Sequence, residues 1–499
     1  MNVIVISFFS LCVLVWLGHV LRMKISLLHK LYLPSSVIAG LLGLIVIQII
    51  LQTIQPPMPQ QMTDEAPPDD WQAWQVGAPV PKSFPGGAPE GGWPVATTFL
   101  VACTSGWGKL PGFLINIVFA CLFLGMVIPK LKTVWQRAGP QLAYGQIVAW
   151  GQYVVGIGLF LVVITYVNPK LPDMFAGILP VGFEGGHGTA AGMEQTFVEE
   201  GWAAGKDYAL ASATFGILGA VIVGMALVNW AQRKGYVVRR RSPEDFPEDD
   251  TIGVIPVERR PEAGKLTVSS SAIESLTLHL AIVGLAIGIG WAMKQGLLEI
   301  GQVSTNESVM KMMKSFPLFP LCMIGGLIIQ VIHQKYDRHK LIDSGLMRRI
   351  QNIALDFLVV AAIATINVKV IQAGLVPLLI LVAAGILWNV FCVVGLARRM
   401  LPDAWFERSI AEMGQSMGVT ATGLMLLRVV DPDYKSPAAD AFAYKQILHE
   451  PFMGGGLWTG AAIPLIALWG GWPVFGIAVG AVVLWVIFAK ATGITRKTA

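Results

Sequence analysis

Charge is scarce in this chain. Only 13% of its 499 residues are Asp, Glu, Lys or Arg, against roughly 25% in an ordinary soluble domain. With 54% hydrophobic residues and a mean hydropathy of +0.63, a soluble globule is excluded and lipid is the expected solvent. Cysteine is sparse too. Cys12, Cys103, Cys121, Cys322 and Cys392 are scattered without a CxxC pair or metal-ligand spacing, so they read as small core residues, not as disulfides or a metal module. No basic domain accompanies the net charge of +5. Lys and Arg form short clusters at the ends of apolar runs, which suits membrane orientation and not a nucleic-acid partner. The first apolar run has no basic stretch before it, and Arg22 and Lys24 follow it where a cleavage site would stand. It is therefore expected to remain as a helix. His449-Glu450 is followed by Pro451 with no second histidine four residues on, which removes a zinc-hydrolase helix.

What the chain does contain is long apolar runs. A hydrocarbon core of roughly 30 Å needs about 20 mostly apolar residues per helix. Eleven runs fit, near 2–21, 34–54, 111–129, 141–166, 208–231, 270–295, 317–333, 351–371, 376–397, 442–468 and 472–490. The expected class is an all-α polytopic membrane protein. Because cytoplasmic loops accumulate Lys and Arg, the orientation is scored from their placement. With the N-terminus outside and the C-terminus in the cytoplasm, 28 of the 36 basic residues fall on the cytoplasmic side. An inner membrane is the expected setting. Two composition breaks support this layout. Residues 55–109, rich in Pro, Gly and Trp, hold only Lys82 and Lys109 against five acids and read as an external insertion with little regular structure. Residues 233–269 run through Arg239, Arg240 and Arg241 and then through the five acids Glu244, Asp245, Glu248, Asp249 and Asp250, as a solvated cytoplasmic linker does.

The halves on either side of that linker match locally, in the same order. Pro34–Gly40 (PSSVIAG) resembles Pro320–Gly326 (PLCMIGG), Asn116-Ile117 resembles Asn352-Ile353, each read as opening a third helix, and Thr189–Gly192 (TAAG) resembles Thr420–Gly423 (TATG). Five spans before the linker, an odd number, insert the second half upside down. This predicts two inverted-topology five-helix repeats, 1–232 and 270–468, with an extra helix in 469–499, a layout common in secondary transporters.

Two segments are too polar and glycine-rich to be ordinary spans: 176–196 (AGILPVGFEGGHGTAAGMEQT) and 409–428 (SIAEMGQSMGVTATGLMLLR). Backbone leaving helical geometry at membrane depth survives only inside protein or beside an aqueous cavity, so each reads as a re-entrant hairpin. Gly185, Gly186, Gly188, Gly192, Gly418 and Gly423 permit the turns and close approaches. Thr189, Thr420, Thr422 and Ser416 offer neutral oxygens suited to Na⁺, and helix N-termini at a break suit a carboxylate. The plainer alternative is tight helix packing of the kind that Gly284 to Gly288 or Gly476 to Gly480 would allow. Packing motifs alone do not require the neighbouring Glu184, His187, Glu194 and Glu412.

At GGHGTAAGM, residues 185–193, the chain resembles the bacterial sodium/glutamate symporter family. That resemblance implies a homodimeric importer of glutamate or a similar acidic compound, with Na⁺ as coupling ion, no other cofactor, and both re-entrant loops at the transport site. The external insertion, the eleventh helix and the long charged linker depart from the family's pattern and leave strict glutamate specificity open.

Further residues stand out singly. Asp356 lies within an apolar span, where charge is costly unless paired or hydrated, and reads as an ion or ammonium ligand, joining Thr189, Thr420 and Thr422 as Na⁺ candidates. Arg428 is either a bidentate clamp for a substrate carboxylate or a cytoplasmic anchor. His187 is either a proton carrier or a structural hydrogen-bonding group. Asn116, Asn352 and Asn367 sit in apolar runs, where amides often bond across helices. The expected function is transport, not catalysis. The alternatives are proton- or sodium-coupled carriage of another organic anion, a membrane enzyme using Glu184 and His187 as acid and base, and a channel.

Overall fold

The computed structural model describes residues 3–30, 33–54, 95–237, 254–304, 306–432 and 434–491. All regular structure within them is helical, as expected. In chain order the main helices are α1 (Val3–Lys24), α2 (Ser35–Ile54), α3 (Val95–Ala120), α4 (Leu131–Leu159), α5 (Ile178–Phe183), α6 (Gly186–Gly192), α7 (Gly205–Lys234) and α8 (Ser275–Val303). They continue as α9 (Phe319–Tyr336), α10 (Ser344–Ala364), α11 (Leu375–Phe391), α12 (Trp405–Ser416), α13 (Thr420–Val430), α14 (Ala438–His449), α15 (Leu457–Trp469) and α16 (Gly471–Ala491).

Among the described residues, six helices are long and apolar enough to cross a membrane, or seven if Glu307–Ser315 and Phe319–Tyr336, bent by 66°, form one span. Eleven were expected, and the shortfall has physical causes. α10 carries Arg348, Arg349 and Asp356 on a single helix. The run 351–371 overshoots the end of α10, and Asn367 is the N-cap of Val368–Ala373, accepting from the N–H groups of Lys369 and Val370. The run 442–468 divides into α14 and α15 around a turn containing Pro451 and the left-handed Gly455, φ +89°.

Two loop expectations also change. α3 starts at Val95 and ends at Ala120, so the insertion read as irregular to 109 is helical from 95, and the span expected at 111–129 is shifted. The apolar stretch Val95–Cys103 outweighs the Lys109 and Pro111 that suggested a boundary. Residues 55–94 lie outside the described residues, as do 238–253 of the linker. The described end of the linker is tethered: Lys265 N–H donates to Asp343 Oδ1 at 3.1 Å and Arg349 Nε to Ala263 O at 3.3 Å.

α4 and α7 form the centre, each 56% buried over its apolar window, while α8 and α16 are 22% and 17% buried and form the periphery. Leu280, Leu285, Trp291, Trp472 and Leu484 on that periphery are exposed, as lipid-facing residues are. Gly284, Gly288, Gly476 and Gly480 also face open space, with nothing within 4 Å of where a Cβ would stand. They are not intramolecular packing glycines. The core is aromatic around the first broken segment: Phe175 meets Tyr208 edge-on at 5.4 Å and Trp202 stacks on Tyr208 at 5.9 Å.

Two of the long helices, α4 and α11, share a device. α4 continues through the π-turn Phe160–Ile164, and α11 through the π-turn Cys392–Leu396. Each is followed by a broken helix pair, α5/α6 and α12/α13. Of the local sequence matches, Pro34 and Pro320 both stand at the start of a helix. Neither Asn116 nor Asn352 begins one: Asn116 lies near the end of α3 and Asn352 in the middle of α10.

Candidate functional site

The first break follows from its glycines. α5 stops at Phe183, Glu184 and Gly185 cross the gap, and Gly186, the first residue of α6, adopts φ +66°. At the second break α12 ends at Ser416, and Met417, Gly418 and Val419 turn the chain into α13. α12 and α13 fold back on each other so closely that a Cβ on Gly414 would stand 2.7 Å from Gly423 Cα. The two tips touch. A Cβ on Gly186 would meet Val419 Cγ1 at 3.0 Å and Gly418 O at 3.1 Å.

Beneath the tips lies a cavity of about 490 Å³, within the range of small-molecule sites. Its inner wall includes Glu184, Gly185, Gly188, Thr189, Gln415, Thr420 and Glu450, and it reaches the start of α10 at Ser344, the buried Met347 and a mouth formed by the exposed Arg348 and Asn352. Asp343 caps α10 there. Burial pushes its carboxyl upward, but the N–H groups of Leu346, Lys265 and Gly345 outweigh this and hold it below the usual carboxylate range.

A polar network backs the inner wall, drawn from the first break and from four helices, α4, α12, α13 and α14. Glu184 Oε1 is 2.5 Å from His449 Nε2 and accepts from Gln415 Nε2 at 2.9 Å. Gln146 Nε2 lies 3.3 Å from His449 Nδ1. Glu450 Oε1 accepts from Thr420 Oγ1 at 2.6 Å and from Gln446 Nε2 at 3.0 Å. Lys445 Nζ, fully buried, ion-pairs with Glu412 Oε1 at 2.6 Å, and Gln141 Nε2 donates to Glu412 Oε2 at 2.8 Å. Glu184 Oε2 and Thr189 Oγ1 are buried with no hydrogen-bond partner. An unsatisfied buried polar group costs about 1–3 kcal/mol, so both are positions that a ligand would relieve.

The residues singled out in sequence separate into two groups. Gly185, Gly188, Thr189, Thr420 and Asn352 line the cavity, and Gly186 and Gly418 form the contact between the tips. The others lie elsewhere. His187 Nε2 pairs with Thr214 Oγ1 of α7 at 3.0 Å, behind the wall. Ser416 Oγ donates to Asn389 Oδ1 at 2.6 Å and its carbonyl accepts from Gln152, anchoring the second tip to α11 and α4. Gly192 packs on Ile115 and Phe319, and Gly423 on Ala411 O. Thr422 is buried against Gly418. Asn116 donates to Gly112 O of its own helix and receives the Cys322 thiol. Asp356 meets the Ser36 hydroxyl, and Arg428 is exposed on α13; neither borders the cavity.

Sequence reading missed Lys445, His449 and Glu450, and with them Gln415, Gln446 and Arg348. The 28 basic residues assigned to the cytoplasm by charge bias include Arg408 and Lys445, in the segment 398–445, yet both are buried. The missed signal was available: Lys445 and Glu450 are charges inside an apolar run, which calls for a partner or a cavity, and Gly454-Gly455-Gly456 marks a break.

A family model described as sodium/glutamate symporter matches residues 109–436, about two thirds of the 499 residues. The match covers both touching breaks and stops before Lys445, His449 and Glu450. No curated protein and no solved structure matches the chain.

Proposed function

The chain belongs to the sodium/glutamate symporter family and is a multi-pass membrane protein, and from that premise we propose that it couples inward sodium movement to uptake of glutamate or a related acidic amino acid. The cavity under the touching breaks is the transport site on this reading. Glu184, Thr189, Thr420 and Glu450 bind the cation, and Arg348 and Asn352 receive the anion at the mouth. The two broken pairs are the re-entrant loops of inverted repeats, alternating access moves them relative to each other, and the functional unit is a homodimer. The N-terminus faces outside and the C-terminus the cytoplasm.

The observation that carries this reading is an excess of carboxyl groups. Glu184, Glu412 and Glu450 face only two basic groups, Lys445 and His449, so with all five ionised one negative charge is uncompensated. Taking a lone charge out of water costs several kcal/mol, and an uncompensated carboxylate repels an acidic substrate. A sodium ion on the free Glu184 Oε2 and Thr189 Oγ1 relieves both, which makes cation binding precede substrate binding. Reconstituted protein should take up labelled glutamate only with an inward sodium gradient. Uptake that is unchanged when choline replaces sodium removes the coupling, and absence of uptake of any organic anion removes the transport reading.

The Glu184–His449 contact favours a second reading, in which a proton replaces sodium and the cargo is a dicarboxylate or hydroxycarboxylate. Uptake driven by an inward pH gradient in choline would select it.

A further inference from the structure

Lys445 is the one ammonium enclosed in the polar network, and its surroundings are those of a bound ion. Its Nζ donates to Gln415 Oε1 at 3.0 Å and Gln446 Oε1 at 2.8 Å and lies 2.6 Å from Glu412 Oε1. These three oxygens come from α12 and α14. The Glu412 contact is an ion pair without the direction of a hydrogen bond, since no donor is aimed at Oε1. Both Lys445 and Glu412 have 0% of the side chain exposed. Room for the pair is made by α4, where a Cβ on Gly145 would stand 2.5 Å from both Glu412 Oε1 and Lys445 Cε.

We infer that Lys445 is a resident cation: its ammonium fills an all-oxygen cage, formed by Glu412, Gln415 and Gln446, that would otherwise take a hard monovalent metal ion such as sodium. Carboxylate and amide oxygens are hard ligands that suit such ions, and a buried carboxylate needs a positive partner. The ammonium also sets the direction of Gln415. Because Gln415 Oε1 accepts from Lys445, its Nε2 faces Glu184 Oε1. The fixed charge thereby holds one oxygen of Glu184 and leaves the other, Oε2, buried without a partner. The inference bears on the network used for the proposed transport, but its readout does not require that transport occur.

The test is thermal melting of the full-length protein in detergent, in sodium and in choline at equal ionic strength. The Lys445→Ala variant is expected to lose stability in choline and regain it with added sodium, with a saturable sodium-dependent rise in Tm larger than that of the wild type. The double variant Lys445→Met with Glu412→Gln, which removes both charges, is expected to show only the wild-type response to sodium. A Lys445→Ala protein whose sodium response equals the wild type's overturns the inference. So does one that fails to fold in either salt, because a cage able to accept sodium would restore it. An enlarged sodium response in the double variant also overturns it, since Glu412 would then not be the anchor. Glutamate transport assayed separately distinguishes this failure from failure of the symport reading.

Discussion

Thr189 and Thr420 carry the same group in different states. Thr189 Oγ1 is buried without a partner, whereas Thr420 Oγ1 donates to Glu450 and accepts from Gln446 at 2.7 Å. Replacing Thr189 by the isosteric Val removes an unsatisfied hydroxyl, so the fold should lose nothing and gain up to about 1 kcal/mol. If Thr189 ligates sodium, the same change should raise the sodium concentration for half-maximal uptake about tenfold, equivalent to about 1.4 kcal/mol. Thr420→Val leaves Glu450 and Gln446 each short of a partner, and should lower both stability and sodium response. Parallel melts and sodium titrations of uptake check the contrast. Equal effects of the two substitutions on both readouts would return Thr189 to a packing role.

Three broken elements build the cavity, and they were unequally legible. The first two announce themselves by glycine and threonine within otherwise apolar stretches, and the backbone argument that irregular structure at membrane depth must be enclosed led directly to Gly186, Thr189, Gly418 and Thr420. The third, between α14 and α15, was hidden because hydropathy averages over 442–468 absorb Lys445 and Glu450. Ser416 reads in sequence as a neutral oxygen for Na⁺ and His187 as a proton carrier or a structural hydrogen-bonding group, but a sequence does not reveal which side of a short helix faces the cavity; His187 meets Thr214 and Ser416 meets Asn389. Asp356 was chosen for its cost in lipid, and a neighbour 320 residues away in sequence, Ser36, meets it instead. Gly455 tests the third element. With φ +89°, it adopts a backbone that costs an L residue roughly 1–2 kcal/mol, and a Cβ there would stand 2.2 Å from Thr189 Oγ1 and 2.6 Å from Phe119 Cζ. Gly455→Ala should displace the 450–456 turn and with it Glu450, reducing sodium-driven uptake at least about tenfold by the rule of about 1.4 kcal/mol per decade. The variant Gly454→Ala, whose nearest neighbour is Glu450 Cγ at 3.3 Å, is the matched control and should retain most uptake.

At the scale of the whole molecule, the cavity has exposed lining residues at Arg348 and Asn352. They lie at the start of α10, beside the tether of Lys265 to Asp343. Charge bias assigns residues 335–349 to the cytoplasm, even after the buried Arg408 and Lys445 are withdrawn from the count, because 26 basic residues still oppose 8. The structure is therefore expected to be an inward-open state. Ser344, which the proposed function leaves out of substrate binding, lines this opening, so Ser344→Cys, in a background with the five native cysteines replaced by serine, reports on it. A membrane-impermeant maleimide should label the variant in inside-out vesicles and not in right-side-out ones. Sodium with glutamate should slow that labelling if closure of the cavity accompanies loading. Labelling from the outer face alone reverses the orientation, and labelling indifferent to sodium and glutamate takes the cavity out of the transport path.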